Sequence, residues 1–366
     1  MREPVLEGLP PSRLQLRREE KDRDRRVRRM LLILLLLLLL LFALALAFIL
    51  IYGPSILETL RPGTVQSLFS IYGFDRPLSV STDAQNNIYV SDTGHSKFYV
   101  FDSSGNYVRR IGTSQKHQRF YGVFGSRVDA GEKNIYVADW GRRAINVFTT
   151  GGKFVRRFPK DGVNVKKYGP LGLSPFSLDM YKDKIYITSA DGVYVFSKKG
   201  RLLKRWAGRG QAMGRYDFPS GLAVDKKDGS IYVADQLNRR VVAMSPEGKI
   251  RWVLGKPDAA GNIVSFFGLP RGIAIDSEGR IYVTDTFHHQ IVILTREGKL
   301  ISVVGKRGTE DGNFNFPEGL VITKDNIIYL ADRENDRIQA LRINKFPAPS
   351  KTLLRKYRGS FIKPSG

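Results

Sequence analysis

The chain has 366 residues and a formal charge of +24, from 59 Lys and Arg against 35 Asp and Glu, with 42% hydrophobic residues. It has no cysteine, which excludes disulfides, cysteine-based zinc sites and thiol nucleophiles but leaves the redox compartment open. Ten basic and six acidic residues fall in the first thirty, so the rest carries +20; such a field attracts nucleic acid, anionic headgroups or acidic wall polymers, and a plain solubility coat has the same sign.

Taken in chain order, residues 1–29 are rich in Pro, Arg and Glu without a sustained apolar period, which predicts a disordered basic tail. A transmembrane helix is predicted over 30–52. Residues 31–52 are 22 consecutive apolar residues, LLILLLLLLLLFALALAFILIY, enough to cross a hydrocarbon core of roughly 30 Å. RDRRVRR precedes this segment, whereas GPSILETL after it carries only Glu58. The positive-inside rule then places the N-terminus in the cytoplasm and everything after 52 outside it, on a single-pass cell-membrane protein. A cleaved signal peptide would have an apolar core of roughly 7–15 residues followed by small residues. Here Ala43, Ala45 and Ala47 lie inside the apolar run, so the segment reads as an uncleaved signal-anchor. Residues 53–64 read as a linker.

Beyond it one segment recurs: NIYVSD, NIYVADW, KIYITS, SIYVAD, RIYVTD and IIYLAD. Their tyrosines, 89, 136, 186, 232, 282 and 329, follow one another at 47, 50, 46, 50 and 47 residues, the period of a repeated β unit. The clearest unit runs from Phe218 to Gly255. GLAVD, SIYVAD, RRVVAM and IRWVLG are short strands parted by KKDG, QLN and PEGK, a four-stranded antiparallel meander. Strands apolar at nearly every position require cover on both faces, which adjacent blades of a propeller supply.

The order PxGIAVD, IYVAD, NxRI, GK resembles the NHL repeat over roughly 65–347. The fifth unit shows it as PRGIAID, RIYVTD, HHQIVIL and REGK; the third is the poorest match, with Ser189 where other units carry Asp. The resemblance implies a six-bladed, all-β propeller of four-stranded antiparallel blades, which here follows the one transmembrane helix read from the apolar run. The sixth unit ends at LRINKF and lacks its outer strand, while VQSLFSIYG (65–73) has the outer-strand pattern of KLISVVG, so 65–73 is predicted to close the ring. Residues 348–366 form a basic, proline-broken extension.

In such a meander the d–a crossings and b–c turns share one face. That face collects Arg142, Arg143, Arg239, Arg240, Arg271, His288, His289 and Arg337, the candidate binding residues, beside long Gly-rich d–a loops. The recurring Asp92, Asp139, Asp235, Asp285 and Asp332 close strand b and read as turn-forming hydrogen-bond acceptors. Trp140, Trp206 and Trp252 read as inter-blade core.

Catalytic groups do not converge. There is no GxSxG turn, P-loop or dinucleotide fingerprint, and only His95, His117, His288 and His289. Six-bladed relatives that act as metal-dependent lactonases or amidating lyases carry acidic or His ligands at the channel mouth. Here the mouth segments PLS, VFG, PFS, PSG, PRG and PEG hold one acid, Glu318, so no metal, cofactor or catalytic residue is assigned. The expectation is a non-catalytic, membrane-anchored extracytoplasmic module that binds a protein or anionic envelope polymer. The alternative is a propeller lyase or hydrolase with a loop-built site, and nucleic acid binding would require the opposite topology.

Overall fold

The computed structural model describes residues 21, 23, 25–44, 65–112, 119–129, 131, 133–159, 165–169, 172–257, 263–264 and 266–363. They fall in two units, 1–62 and 63–366. In the first, Arg25–Leu44 is a helix of 20 residues, long and apolar enough to cross a membrane and unburied throughout. It begins within the basic segment, so Arg25, Arg26, Arg28 and Arg29 occupy its first turns. Residues 25–29, expected as the end of a disordered tail, are thus helical, a correction to the expected start of the helix at 30. Residues 1–20, residues 45–52 of the apolar run, and the linker up to 64 lie outside the described residues.

The second unit is a ring of six antiparallel sheets. In blade one the strands are Pro77–Thr82, Ile88–Asp92, Lys97–Phe101 and Tyr107–Ile111, from the channel outward. Blades two to five repeat this order, starting from the inner strands Val123–Asp129, Pro175–Tyr181, Pro219–Val224 and Pro270–Ile275. The last blade has Pro317–Ile322, Ile328–Asp332 and Arg337–Ile343, and its outer strand is Val65–Tyr72 from the start of the unit. Val65 pairs with Ile343 and Tyr72 with Arg337.

The IYVxD strands explain the repeat. Every residue of Ile88–Asp92, Ile231–Asp235, Ile281–Asp285 and Ile328–Asp332 is buried, because both faces of the strand meet a neighbouring blade. The tyrosine rings lie in these inter-blade layers, and two of their hydroxyls donate to the acid of the a–b turn: Tyr89 to Asp83 at 2.9 Å and Tyr282 to Asp276 at 3.0 Å. The third residue of PxG packs at the channel wall. A Cβ on Gly221 or Gly272 would overlap the carbonyl oxygen of Arg271 or Glu318 in the next blade, backbone that has no room to give.

The basic extension is ordered on the ring. Lys351–Ser360 is a helix capped by Ser350, whose Oγ accepts from Leu353 N, and Phe361–Ile362 adds a fifth strand to blade four beside Ile250–Leu254. Leu353, Tyr357 and Phe361 pack on the cluster that holds Trp252 and Phe266. This covers an outer edge that would otherwise present unpaired backbone groups.

Candidate binding site at the channel mouth

Every inner strand shifts register at its first residues, between Pro77 and Ser79, Val123 and Ser126, Pro175 and Leu178, Pro219 and Gly221, Pro270 and Ile273, and Pro317 and Leu320. A bulge kinks a strand and re-aims the side chain at the kink. Six side chains, one per blade, therefore ring the mouth: Leu78, Phe124, Phe176, Ser220, Arg271 and Glu318. All six line one cavity of about 420 Å³ on the d–a and b–c face, a volume in the range of small-molecule sites.

The ring is divided. On one side Phe124 and Phe176 meet edge to face with centroids 5.5 Å apart, Trp140 lies 6.3 Å from Phe124, and Phe218 lies 5.9 Å from Phe176. On the other side Glu318 is 2% exposed and held between Arg271 Nη1 at 3.0 Å and Arg333 Nη1 at 3.2 Å. Burial pushes the Glu318 carboxyl above its ordinary pKa, against the pull of the two guanidiniums. Arg333 also pairs with Glu334 at 2.9 Å, so two guanidiniums here meet two carboxylates. The buried Arg271 Nε has no hydrogen-bond partner among the described residues and faces the aromatic arc as a donor to be met. Such a site suits a group with an apolar ring or aliphatic face and an acceptor-rich or anionic end.

Trp140 is a correction to the sequence reading: it is 46% exposed and lines the mouth instead of packing between blades. It follows the fully buried strand-end Asp139, so the turn lifts it to the rim. Trp252 is buried as expected, and Trp206 is partly buried against the cluster between blades three and four.

Seven of the eight candidate residues belong to a recurring b–c turn, and their places in it decide what they do. The acid ending strand b accepts a backbone N–H from the preceding d–a crossing in five blades: Asp75 N to Asp92 (2.9 Å), Tyr121 N to Asp139 (3.2 Å), Asp217 N to Asp235 (2.8 Å), Leu269 N to Asp285 (2.9 Å) and Asn315 N to Asp332 (2.6 Å). In blade three Ser189 Oγ does the same for Ser174 N at 2.8 Å. The residue three further on turns back to the same acid. It is Asn238 in blade four and Asn335 in the last, His95 in blade one, His288 in blade five (Nδ1 2.6 Å from Asp285) and Arg142 in blade two (Nε 3.5 Å from Asp139). Arg142 also donates to Arg119 O at 2.8 Å and lies over the Tyr121 ring.

The fourth residue on is the tip in left-handed conformation: Arg143, Arg239 and His289 have φ of 54°, 49° and 54°. Arg143 is exposed, whereas Arg239 Nε donates to Gly268 O at 3.1 Å. The fifth is Arg240 or Arg337, and both are corrected from surface cations to buried clamps. Arg240 is 4% exposed, pairs with Asp235 at 2.8 Å and donates to the carbonyls of Gln211 and Arg215, each at 2.6 Å. Arg337 is 2% exposed and pairs with Asp332 at 2.8 Å. A guanidinium so placed satisfies the loop backbone and presents no charge to solvent. Of the eight, only Arg271 lies in the mouth.

His289 Nδ1 accepts from Phe316 N at 3.1 Å, so the ring is neutral with its proton on Nε2. Burial and then Arg307 hold its pKa below the ordinary value. The folded state therefore binds fewer protons than the unfolded one as pH falls through the histidine range. His289 thus contributes stability that is present above the unfolded pKa and lost on acidification. Titration of its ring resonances by NMR is expected to give a midpoint below that of a free imidazole, and a midpoint above it would contradict the acceptor role.

Sequence reasoning located the mouth segments but searched them only for acids. It missed Arg333, Trp140 and the Phe arc, although the second residue of each PxG segment spells the ring. Among the described residues no group of three or more His, Cys, Asp or Glu could hold a metal ion.

Ring, bulges and divided mouth define a six-bladed β-propeller with a cavity at one end of its channel. Two of its units match the NHL repeat model, over residues 267–294 and 314–341, and a family described as 6-bladed beta-propeller matches 173–249. No curated protein matches the chain. Among solved structures, a streptogramin B lyase aligns at 14% identity and TM-score 0.51 over 76% of this chain and 97% of its own. A structural-genomics protein of unknown function from Bacteroides thetaiotaomicron aligns at 16% and 0.56, over 76% and 72%. Hydrazine synthase from Kuenenia stuttgartiensis aligns at 12% and 0.52, over 75% and 97%. At these identities the likeness is one of fold.

Proposed function

We propose that the chain is a non-catalytic recognition module, anchored by its N-terminal helix with the propeller extracytoplasmic. It binds a protein or anionic polymer of the cell envelope by taking one of its groups into the channel mouth. The observation that carries this reading is the division of the mouth into the arc Phe124, Phe176, Phe218, Trp140 and the Arg271–Glu318–Arg333 half. The basic residues before the helix, and their scarcity after it, support the orientation. The chain joins the ring at Val65, opposite Ile343 and hence at the face away from the mouth.

The test is retention of solubilised full-length protein on envelope fractions. Trp140→Ala combined with Phe176→Ala is expected to weaken retention at least about tenfold, the loss of two aromatic anchors, while Arg143→Ala leaves it unchanged. Unaltered retention in the double variant would remove the mouth from recognition.

A second reading, a propeller lyase or hydrolase, is favoured by one observation: a buried carboxyl of raised pKa lies beside two cations in a cavity. Glu318→Gln separates the two. Abolished turnover with ligand still retained assigns an enzyme, and retention without turnover in either form assigns a binding module.

A further inference from the structure

The face opposite the mouth carries the a–b and c–d turns, and its charge is concentrated in one blade. The two turns of blade three, 182–184 and 197–201, hold Lys182, Lys184, Lys198, Lys199 and Arg201 against a single acid, Asp183. The same turns of blade one hold Asp83 and Asp102 with no cation, those of blade two hold Lys133 and Lys153 against Glu132, with Asp129 ending the strand before them, and those of blades four and five hold equal numbers of each sign. A solubility coat would be spread around the ring; this is a patch. Lys198 is paired with Asp129 at 2.6 Å, while Lys182, Lys184, Lys199 and Arg201 are exposed. Lys204 and Leu203, the latter 40% exposed, extend the patch up the outer strand.

Position in the ring gives the patch a meaning. The chain joins the propeller at Val65, on this same face of the last blade. In a six-bladed ring blade three is diametrically opposite the last blade. One edge of the face is thus where the tether arrives, and the opposite edge bears the cations.

We propose that this patch docks on an anionic phospholipid surface. The face is then held at two opposite edges, by the tether and by Lys182, Lys184, Lys199 and Arg201, and lies along the membrane with the channel mouth turned outward. This rests on the reading of Arg25–Leu44 as a membrane anchor. Each basic residue near an anionic bilayer strengthens surface partition about fivefold, and the attraction is screened within a Debye length of about 8 Å at physiological salt.

Because the chain has no cysteine, single labels can be placed cleanly. Full-length protein carrying Asp183→Cys, with a fluorophore on the thiol, is reconstituted into nanodiscs of phosphatidylglycerol or phosphatidylcholine containing a headgroup quencher. Quenching at 183 is expected in phosphatidylglycerol and not in phosphatidylcholine. It should be lost in about 0.5 M salt and on Lys182→Glu, Lys199→Glu, Arg201→Glu, whose circular dichroism should match the parent. A label at Arg143→Cys on the mouth face should stay unquenched. Equal quenching in both lipids, quenching in neither, or tighter retention on polyglutamate than on the phosphatidylglycerol surface would each overturn the proposal, the last by assigning the patch to a polymer. Failure of the anchor reading is seen separately, as protein that does not enter the discs at all.

Discussion

Arg337→Ala is expected to destabilise the propeller by about 3–5 kcal/mol, the usual cost of removing one partner of a buried ion pair. The guanidinium is 2% exposed. Its Nε donates to Asp332 at 2.8 Å, and its Nη2 donates to Glu310 O at 2.9 Å and Asn313 O at 3.2 Å. Truncation would leave the fully buried Asp332 with the neutral donors Asn315 N, Asn335 and Gln339 and no counter-charge, and would take one of two donors from the carbonyls of Glu310 and Asn313, which keep Asn313 N and Gln339 Nε2. Arg240→Ala should cost a similar amount in blade four, where Asp235 and the loop 211–215 stand in the same relation. Arg337→Lys should recover part of the loss, since it restores the charge but not the planar fork that reaches three acceptors at once. The exposed Arg143→Ala should stay within about 0.5 kcal/mol of the parent. Urea-unfolding midpoints of the four variants decide the matter: a shift for Arg337→Ala no larger than that for Arg143→Ala would show that the clamp does not hold the d–a loop.

The difference between Arg143 and Arg337 shows where the sequence could be read and where it could not. Blade count, strand order and channel-lining segments follow from IYVxD and PxG because burial of a strand between two blades and steric fit at the wall act on residue type directly. The b–c turn is harder. Its acid, third and fifth residues form one hydrogen-bonded unit, as in Asp235, Asn238 and Arg240, but the third place accepts Asn, His or Arg, since each has an N–H to give the carboxylate. A pair of adjacent basic residues such as Arg239 and Arg240 therefore looks like a surface patch in one dimension, yet one member is a turn tip and the other a buried clamp. The aromatic half of the mouth was hidden for a different reason. The aromatic arc is assembled from three blades, and Trp140 joins it only through a turn whose course depends on the same Asp139 bonds. The blade-three patch is a contrast between blades, so it becomes visible only when corresponding turns are set on one face.

Deleting residues 65–72 should have the larger consequence, loss of the closed ring. That strand is the outer member of the last blade, and among the described residues no other strand is placed to replace it. Without it the strand Arg337–Ile343 becomes a bare edge of seven residues, five of them now buried. Ile71 and Phe69 leave the cluster that contains Tyr329, Ile338 and Ala340, which forfeits about 1.5–3 kcal/mol for the buried Ile71 and less for the partly buried Phe69. The ring contact between Phe69 and Tyr329, with centroids 6.2 Å apart, and the approach of Tyr72 to Arg337 at 3.4 Å go with it. An unpaired, apolar edge of this length is a template for association with other chains. A protein beginning at Gly73 is therefore expected to elute as aggregate or to unfold at much lower urea, whereas the milder Phe69→Ala should remain a monomeric ring with a lowered midpoint. Adding a synthetic peptide of sequence VQSLFSIY during refolding should restore the monomer, because the missing strand makes its contacts by backbone pairing and the three apolar side chains Val65, Phe69 and Ile71. A monodisperse, fully stable protein without residues 65–72 would mean that the ring is closed by blade packing alone and that the tethered segment is free to leave it.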